Sequence, residues 1–450
     1  MTGRRRPLSR PRRTTASRSL RTRATLALGT TLGAAALAGC GALPGSASSS
    51  DDSPIVVMTW APEATAATNM PGMPAMAQAY VRWVNDNGGI HGRKLKVITC
   101  NERNDTVQAA RCADQAADAK AVAVVGSYSQ YGRSFMGPLE VAGIPYIGGY
   151  GLSEDEFSSP FSYPVNGGQA ALLAGNGRQL ASVCDHVSLV RPDTIAGDEL
   201  PRLLDAGLRA GGRRPAQDIR APEDASDYTT QARRALDGLG GGTGGTTADG
   251  AGALSGGASG RACVTAALGK RTNTFFDSFR RLQDGTPKVR IASVLGSVRQ
   301  SLVDSTGGKD SALEGAYATG WYPAADDPGW RAMHRVVTEY AFDDDRIDTA
   351  DPGSQTTWIA YTVLRSVLMS LDPDDIDARA VKRALDRGHA VDTGGLTPKL
   401  RWGYGDLLAV PAYPRIVNAD VTYQVVRGGR LVAVRDGFVN VTKTLERRDG

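Results

Sequence analysis

The chain reads as an α/β protein of two lobes, each a parallel sheet flanked by helices, with a hinge and a ligand cleft between them. Three observations predict this. Short β-branched runs alternate with helical stretches of about 10 to 15 residues, which is the pattern of βαβ units. The alternation comes in two successive series, and about 400 residues remain once an N-terminal leader is set aside, more than one core holds. Strand-forming residues return at 422–434 after a mostly helical stretch, so they complete a sheet begun much earlier.

The leader comes first. Residues 1–23 carry nine arginines and no acid, 24–39 are weakly apolar, and Leu37-Ala38-Gly39 precede Cys40. A basic segment, a short apolar one and small residues before a cleavage point predict a signal peptide over 1–39. Leu37-Ala38-Gly39-Cys40 resembles a bacterial lipobox. That resemblance implies an acylated Cys40 and an exported protein held on the outer face of the cell membrane by its lipid. A plain secretory leader that ends at a cysteine is the other reading, and Arg12-Arg13 does not choose Sec from twin-arginine export. Loss of the leader also changes the charge. The whole chain is +5, but residues 40–450 keep 43 Lys+Arg against 47 Asp+Glu, so the basic pI is no argument for nucleic acid. No further apolar run of 18 residues follows. Residues 40–53, small and polar, form a flexible tether.

The first series then opens. Ile55–Met58 is a buried strand, and 74–85 places Met76, Ala79, Tyr80, Trp83 and Val84 at helical spacing, with Gly88-Gly89 ending the helix. Strand 95–99 precedes a helix capped by Asn104 or Asp105. Strand 121–125, a helix ending at Ala142 and a short strand at 144–147 follow. The second series is helix 170–183, strand 187–190, helix 199–210, a short helix after Asp227, strand 264–267, helix 273–282 and strand 289–294. Residues 238–260 hold 11 glycines, including a GxGxxG match at Gly240, Gly242 and Gly245. A nucleotide loop follows a strand and opens a helix, whereas this one follows a helix, so it reads as a disordered insertion. Helices 330–342, 356–371 and 376–387 come next, with Asp372-Pro373-Asp374-Asp375 capping the last. A hairpin around Gly428-Gly429 closes the chain. The expected lobes are 54–163 with 320–402, and 164–319 with 403–445.

Besides Cys40 there are four cysteines, an even number that suits an oxidising compartment. Cys100 ends a strand and Cys112 lies in the next helix. Cys184 and Cys263 each stand at a strand start, on one sheet edge. The expected pairs are Cys100–Cys112 and Cys184–Cys263, with four unpaired buried thiols as the alternative. There is no C-x-x-C pair and the four histidines are scattered, so no metal site is expected.

Val84-Asn85-Asp86-Asn87-Gly88-Gly89-Ile90-His91-Gly92 resembles the N-x-x-GGI-x-G segment of type I periplasmic binding proteins, the leucine/isoleucine/valine-binding family that serves ABC importers. Asp105–Ala110, Val124–Ser127, Ala142–Ile147, Thr356–Thr362 and Thr393–Leu396 follow in that family's order. The resemblance implies no cofactor, a small-molecule solute, a membrane permease as partner, and a monomer. It also implies a site on the turns after the third and fourth strands, here Ser127, Tyr128, Ser129 and Gln130, then Gly149, Tyr150 and Ser153. Ser129 and Ser153 fall nearest the family's carboxylate holders. Asp193 and Ser297 fall at the second lobe's turns. Val294–Val298 carries no acid to hold an ammonium, which argues against a free branched-chain amino acid. Trp60 and Tyr128 are placed either to stack on a ligand or to pack. Trp321-Tyr322 reads first as hinge packing and second as ligand contact.

Catalytic signatures are missing: no G-x-S-x-G, P-loop or H-E-x-x-H occurs, and His91, His186, His334 and His389 lie on separate elements. The expectation is a solute-binding lipoprotein, not an enzyme. A ligand-sensing lipoprotein that regulates a membrane receptor or envelope enzyme is the alternative.

Overall fold

Alternation along the first strand, β1 (Ile55–Ala61), explains why its sheet is covered on both faces. In this computed structural model Ile55, Val57 and Ala61 join one apolar cluster while Met58 and Trp60 join another. The first cluster includes helices Gly72–Asp86 and Pro352–Ser370, and the second includes Thr106–Asp118 and Gly132–Ala142. A strand buried on both faces is what a parallel sheet requires. The structure describes residues 53–65, 68–222, 224–239, 261–283, 289–294 and 297–446. The leader, Cys40, most of the tether and the glycine-rich segment from Gly240 lie outside them.

The first sheet is parallel throughout, in the order β2-β1-β3-β4-β5, with β2 Leu95–Asn101, β3 Ala123–Val125, β4 Tyr146–Ile147 and β5 Ser162–Tyr163. The second contains β6 (His186–Pro192), β7 (Gln217–Ala221), β8 (Ala262–Ala266), β9 (Arg290–Val294) and β10 (Tyr317–Gly320). These five are parallel, in the order β10-β9-β8-β6-β7. The returning hairpin adds β11 (Asp420–Arg427) antiparallel to β10, then β12 (Arg430–Ala433), and β13 (Val439–Asn440) pairs with β11. The α/β class and the late completion of an earlier sheet are as the sequence predicts.

Three details differ. Strand β7 reads Gln-Asp-Ile-Arg-Ala, with only Ile219 and Ala221 buried, and an edge strand of that kind has no apolar run to announce it. Strand β10 is short and made of Tyr, Ala, Thr and Gly, so it too is silent in the sequence. The cap of the last long helix, Ala378–Asp386, is Asp377, whose carboxylate accepts from Ala380 N at 2.6 Å. Asp372, expected to cap it, caps a separate single turn at Pro373–Asp375. Asp105 does cap Thr106–Asp118, accepting from Val107 N and Gln108 N at 3.0 and 2.9 Å.

Both expected disulfides are present. Cys100–Cys112 ties β2 to the following helix with Cα atoms 5.8 Å apart, and Cys184–Cys263 ties the end of Gly168–Val183 to β8 at 6.0 Å. The second closes 79 residues of chain. Among the described residues no helix is long and apolar enough to cross a membrane.

Candidate ligand cleft

The chain passes between the two sheets three times: after β5, after β10, and before β11. Polar side chains bind these crossings together. Asn166 Nδ2 donates to Tyr322 Oη at 2.9 Å, and Thr422 Oγ1 donates to the Tyr322 carbonyl at 2.7 Å. Trp402 Nε1 reaches Pro164 O at 3.0 Å, and Asn418 Nδ2 reaches Val165 O at 3.1 Å. Trp321 Nε1 donates to Gly168 O at 2.9 Å. The expected packing role of Trp321 and Tyr322 at the crossing is therefore met, and each has its polar atom satisfied, as buried Trp and Tyr require.

Beside the crossings, loops leaving the carboxyl ends of the two sheets meet. Thr68, after β1, stands 3.6 Å from where a Cβ on Gly269, after β8, would lie. Arg299, after β9, donates from Nη1 to Asp351 Oδ2 at 2.8 Å and approaches Asp348 at 3.9 Å. Ser301 Oγ donates to Asp348 at 2.8 Å. Asp351 also caps the Pro352–Ser370 helix, which packs on β3 and β4 of the first sheet. Burial raises the Asp351 pKa even though Arg299 opposes it.

Each site residue expected from the sequence has a definite place. Tyr128 and Tyr150 come together with rings 5.1 Å apart, and Tyr150 meets Trp321 edge-on at 5.0 Å. Burial pushes the Tyr150 hydroxyl well above its ordinary value, and Asp351 adds to it. Ser127 is fully buried; its Oγ accepts from Trp60 N at 3.1 Å and so fixes the turn to the end of β1. Ser129 donates its proton to Glu102 Oε2 at 3.2 Å and accepts from Tyr131 N at 3.1 Å. Ser153 offers both its N–H and its hydroxyl to Glu156 Oε1, at 3.0 and 3.1 Å. A serine whose one proton is already given to a buried carboxylate has none left for a ligand's carboxylate. Gln130 is half-buried beside Ser129.

Gly149 is needed for close approach, since a Cβ there would lie 2.3 Å from Glu156 Oε2 and from the Tyr146 ring. Ser297 Oγ accepts from Thr272 Oγ1 at 3.1 Å, after β9. Asp193 is exposed and pairs with Arg220 at 3.6 Å.

Trp60 requires a correction. Its ring lies within the apolar layer, 5.2 Å from Phe135 and 5.8 Å from Tyr146, with no exposed face to stack on a solute. The cause is parity: β1 runs three residues beyond Met58, and Trp60 points to the same side as Met58.

Sequence reasoning missed Glu102, Glu156, Arg299 and Asp351. Both glutamates are buried and each holds one of the cleft turns: Glu156 accepts from the N–H groups of Gly151, Leu152 and Ser153. Glu102 accepts from Asn104 N at 3.1 Å, and desolvation raises its pKa to about 7. Asp351-Pro352 carried a readable signal, an N-cap acid followed by a first-turn proline. Arg299 carried none. A cavity of about 260 Å³ opens next to Arg299 and Gln355 and extends to Arg430 on β12. Among the described residues, no three His, Cys, Asp or Glu side chains are placed to hold a metal ion.

Two sheets are thus joined by three crossings, with loops from their carboxyl ends opposed beside them. The chain belongs to the periplasmic binding protein family, whose model matches residues 63–407. Its fold is similar to that of an extracellular ligand-binding receptor from Verminephrobacter eiseniae ef01-2, at TM-score 0.67 and 14% identity, covering 84% of this chain and 99% of that one. A substrate-binding periplasmic protein from Ralstonia solanacearum gives TM-score 0.65 and 15% identity, over 84% and 99% of the two chains. A solute binding protein of an ABC transporter from Rhodopseudomonas palustris BisB5, solved with 3,4-dihydroxy benzoic acid, gives 0.66 and 14%, over 87% and 98%. No curated protein sequence matches the chain. At these identities the likeness is one of fold. Family membership makes this a protein of a binding family that works outside the cytoplasm, not of an enzyme family.

Proposed function

We propose that the protein is a lipid-anchored solute-binding protein that captures a small polar solute between two lobes and delivers it to an ABC permease in the membrane. The lobes are 54–163 with 320–402, and 164–319 with 403–445; the anchor is acylated Cys40, and the protein acts as a monomer. The observation that carries this reading is the set of three bonded crossings beside opposed polar loops. Such an arrangement lets two rigid sheets close by small changes at a few crossing residues. Tyr128, Tyr150 and Ser297, together with Arg299 and Asp351, line the path a solute would take.

The test is uptake in cells. Deletion of the gene abolishes uptake of the solute that stabilises the purified protein, and restoring the wild-type chain recovers it. A Cys40→Ser form is made but released from the membrane and fails to restore uptake. Unchanged uptake in the deletion strain, with binding intact, would point to a sensing role instead.

A further inference from the structure

We infer that an aromatic groove on the helices covering the first sheet seats the headgroup of a zwitterionic membrane phospholipid, so that the anchored protein lies with this face against the bilayer. The inference goes beyond solute capture and rests only on the lipid-anchor part of the reading above. The groove, of about 410 Å³, has a floor of Tyr80, Trp83 and Trp358, and its walls carry Arg365 and Asp392. It is built from the Gly72–Asp86 and Pro352–Ser370 helices and shares no residue with the cavity beside Arg299.

The chemistry of the groove comes from a cation and an anion that do not neutralise each other. Arg365 rests over the Trp83 ring at 5.6 Å and has no ion-pair or hydrogen-bond partner among the described residues. Asp392 is exposed, and its carboxylate accepts from Gly394 N at 2.8 Å but meets no cation among the described residues. A phosphate suits the free guanidinium, and an ammonium suits the free carboxylate. A phospholipid headgroup of the choline or ethanolamine kind carries both, joined by a short linker. The hydroxyls along the groove are already spent, Thr362 Oγ1 on Trp358 O at 2.9 Å and Ser370 Oγ on Val367 O at 2.7 Å. That leaves few donors for a sugar, whose several hydroxyls each need a partner.

The position of the groove agrees with this occupant. Arg93 donates from Nε to Ser53 O at 3.1 Å and from Nη1 to Pro373 O at 3.5 Å. Ser53 is the first residue the structure describes, and Pro373 opens the turn just after the Pro352–Ser370 helix. The chain from Cys40 therefore joins the fold at the end of the helix where Met369, 42% exposed, forms the rim of the groove. Ser53 follows Cys40 by 13 residues, a span of at most about 45 Å, so an acyl anchor on Cys40 keeps this end near the bilayer. Tryptophan and tyrosine rings at headgroup depth are the interfacial pattern of membrane proteins. Charge then selects the lipid. Residues 40–450 carry 43 Lys+Arg against 47 Asp+Glu, so an acidic surface repels the protein and a zwitterionic one does not.

The experiment reconstitutes the mature protein, purified from membranes in mild detergent, into phosphatidylcholine vesicles with a small share of lipid bearing a nitroxide on its headgroup. A nitroxide quenches tryptophan emission at close range. Of the six tryptophans, Trp60, Trp321, Trp330 and Trp402 are fully buried, so quenching reports Trp83 and Trp358 in the groove. The protein floats with the vesicles and loses up to about a third of its emission, the share of two tryptophans in six. Phosphatidylglycerol vesicles with the same nitroxide share quench at least twofold less. Arg365→Gln and Asp392→Asn each cut the quenching at least twofold and leave the melting temperature in place, since neither side chain holds an ion pair and asparagine still accepts from Gly394 N. Floating protein with unquenched emission overturns the inference. So does quenching that is equal in the two lipids, or indifferent to both variants. Protein that does not float refutes the anchor and this inference with it, and leaves solute capture untouched.

Discussion

The contact between Arg299 and Asp351 is the sharpest test of how the two sheets are held together. Its carboxylate has two jobs, accepting from Arg299 at 2.8 Å and capping the Pro352–Ser370 helix through Gly353 N at 2.8 Å. Substitutions separate them. Asp351→Asn keeps a good cap and removes the charge; Asp351→Ala removes both. The side chains are 33% and 16% exposed, so the pair lies between a surface bridge and a buried one. Burial raises the Asp351 pKa in spite of the arginine, so desolvation takes back part of the attraction. That places the pair near 1 kcal/mol, about the upper end for exposed bridges and well below buried ones. The cap adds about 1 kcal/mol. Asp351→Asn should therefore cost about 1 kcal/mol and Asp351→Ala about 2. Arg299→Ala should cost about 1, and the Arg299→Ala/Asp351→Asn double variant little more than either single change. Urea unfolding of the four proteins measures this directly. Costs that simply add in the double variant would show that the pair does not couple the sheets.

Three other predictions concern the frame of the cleft. Glu102 is buried, and desolvation raises its pKa from 4.5 to about 7, so the folded protein holds that proton to higher pH than the unfolded chain does. Its contribution is complete below about pH 4.5 and is lost as pH rises through 7, amounting to about 3 kcal/mol. Glu102→Gln should flatten the stability profile across that window, and an unchanged profile would remove Glu102 as its source. Replacing Cys184 and Cys263 together by Ser should cost about 4 kcal/mol in denaturant unfolding, because the bridge closes 79 residues; replacing Cys100 and Cys112, which close 12, should cost less. Trp60→Phe should lower the melting temperature yet leave solute affinity within twofold, since the ring fills the layer between β1 and Phe135. A loss of affinity without a loss of stability would return Trp60 to the site.

Much of the architecture was legible because it is local. Short apolar runs and period-3.6 patterns marked β1, β2, β6, β8 and the long helices, and the disulfide pairs were expected from three cysteines at strand ends and one in the helix after β2. What stayed hidden depends on distance in space. Arg299 and Asp351 lie 52 residues apart and meet only because the chain crosses between the sheets. Glu102 and Ser129 are brought together across parallel strands, and nothing in either segment announces that the serine's proton is spent. Trp60 stayed open between stacking on a ligand and packing because its side of the strand depends on where β1 ends. The edge strand β7 was missed for the opposite reason: half exposed, it has no need of an apolar sequence.

The most direct measurement is thermal melting of the purified protein against amino acids, amides, short peptides, sugars, polyamines and small carboxylates. A solute at 100 times its dissociation constant adds about 2.7 kcal/mol to stability, enough to move the midpoint visibly. The account predicts that one chemical class of solute raises the midpoint while the rest leave it in place. A midpoint unmoved by every class would contradict the claim that the cleft between the sheets captures a solute.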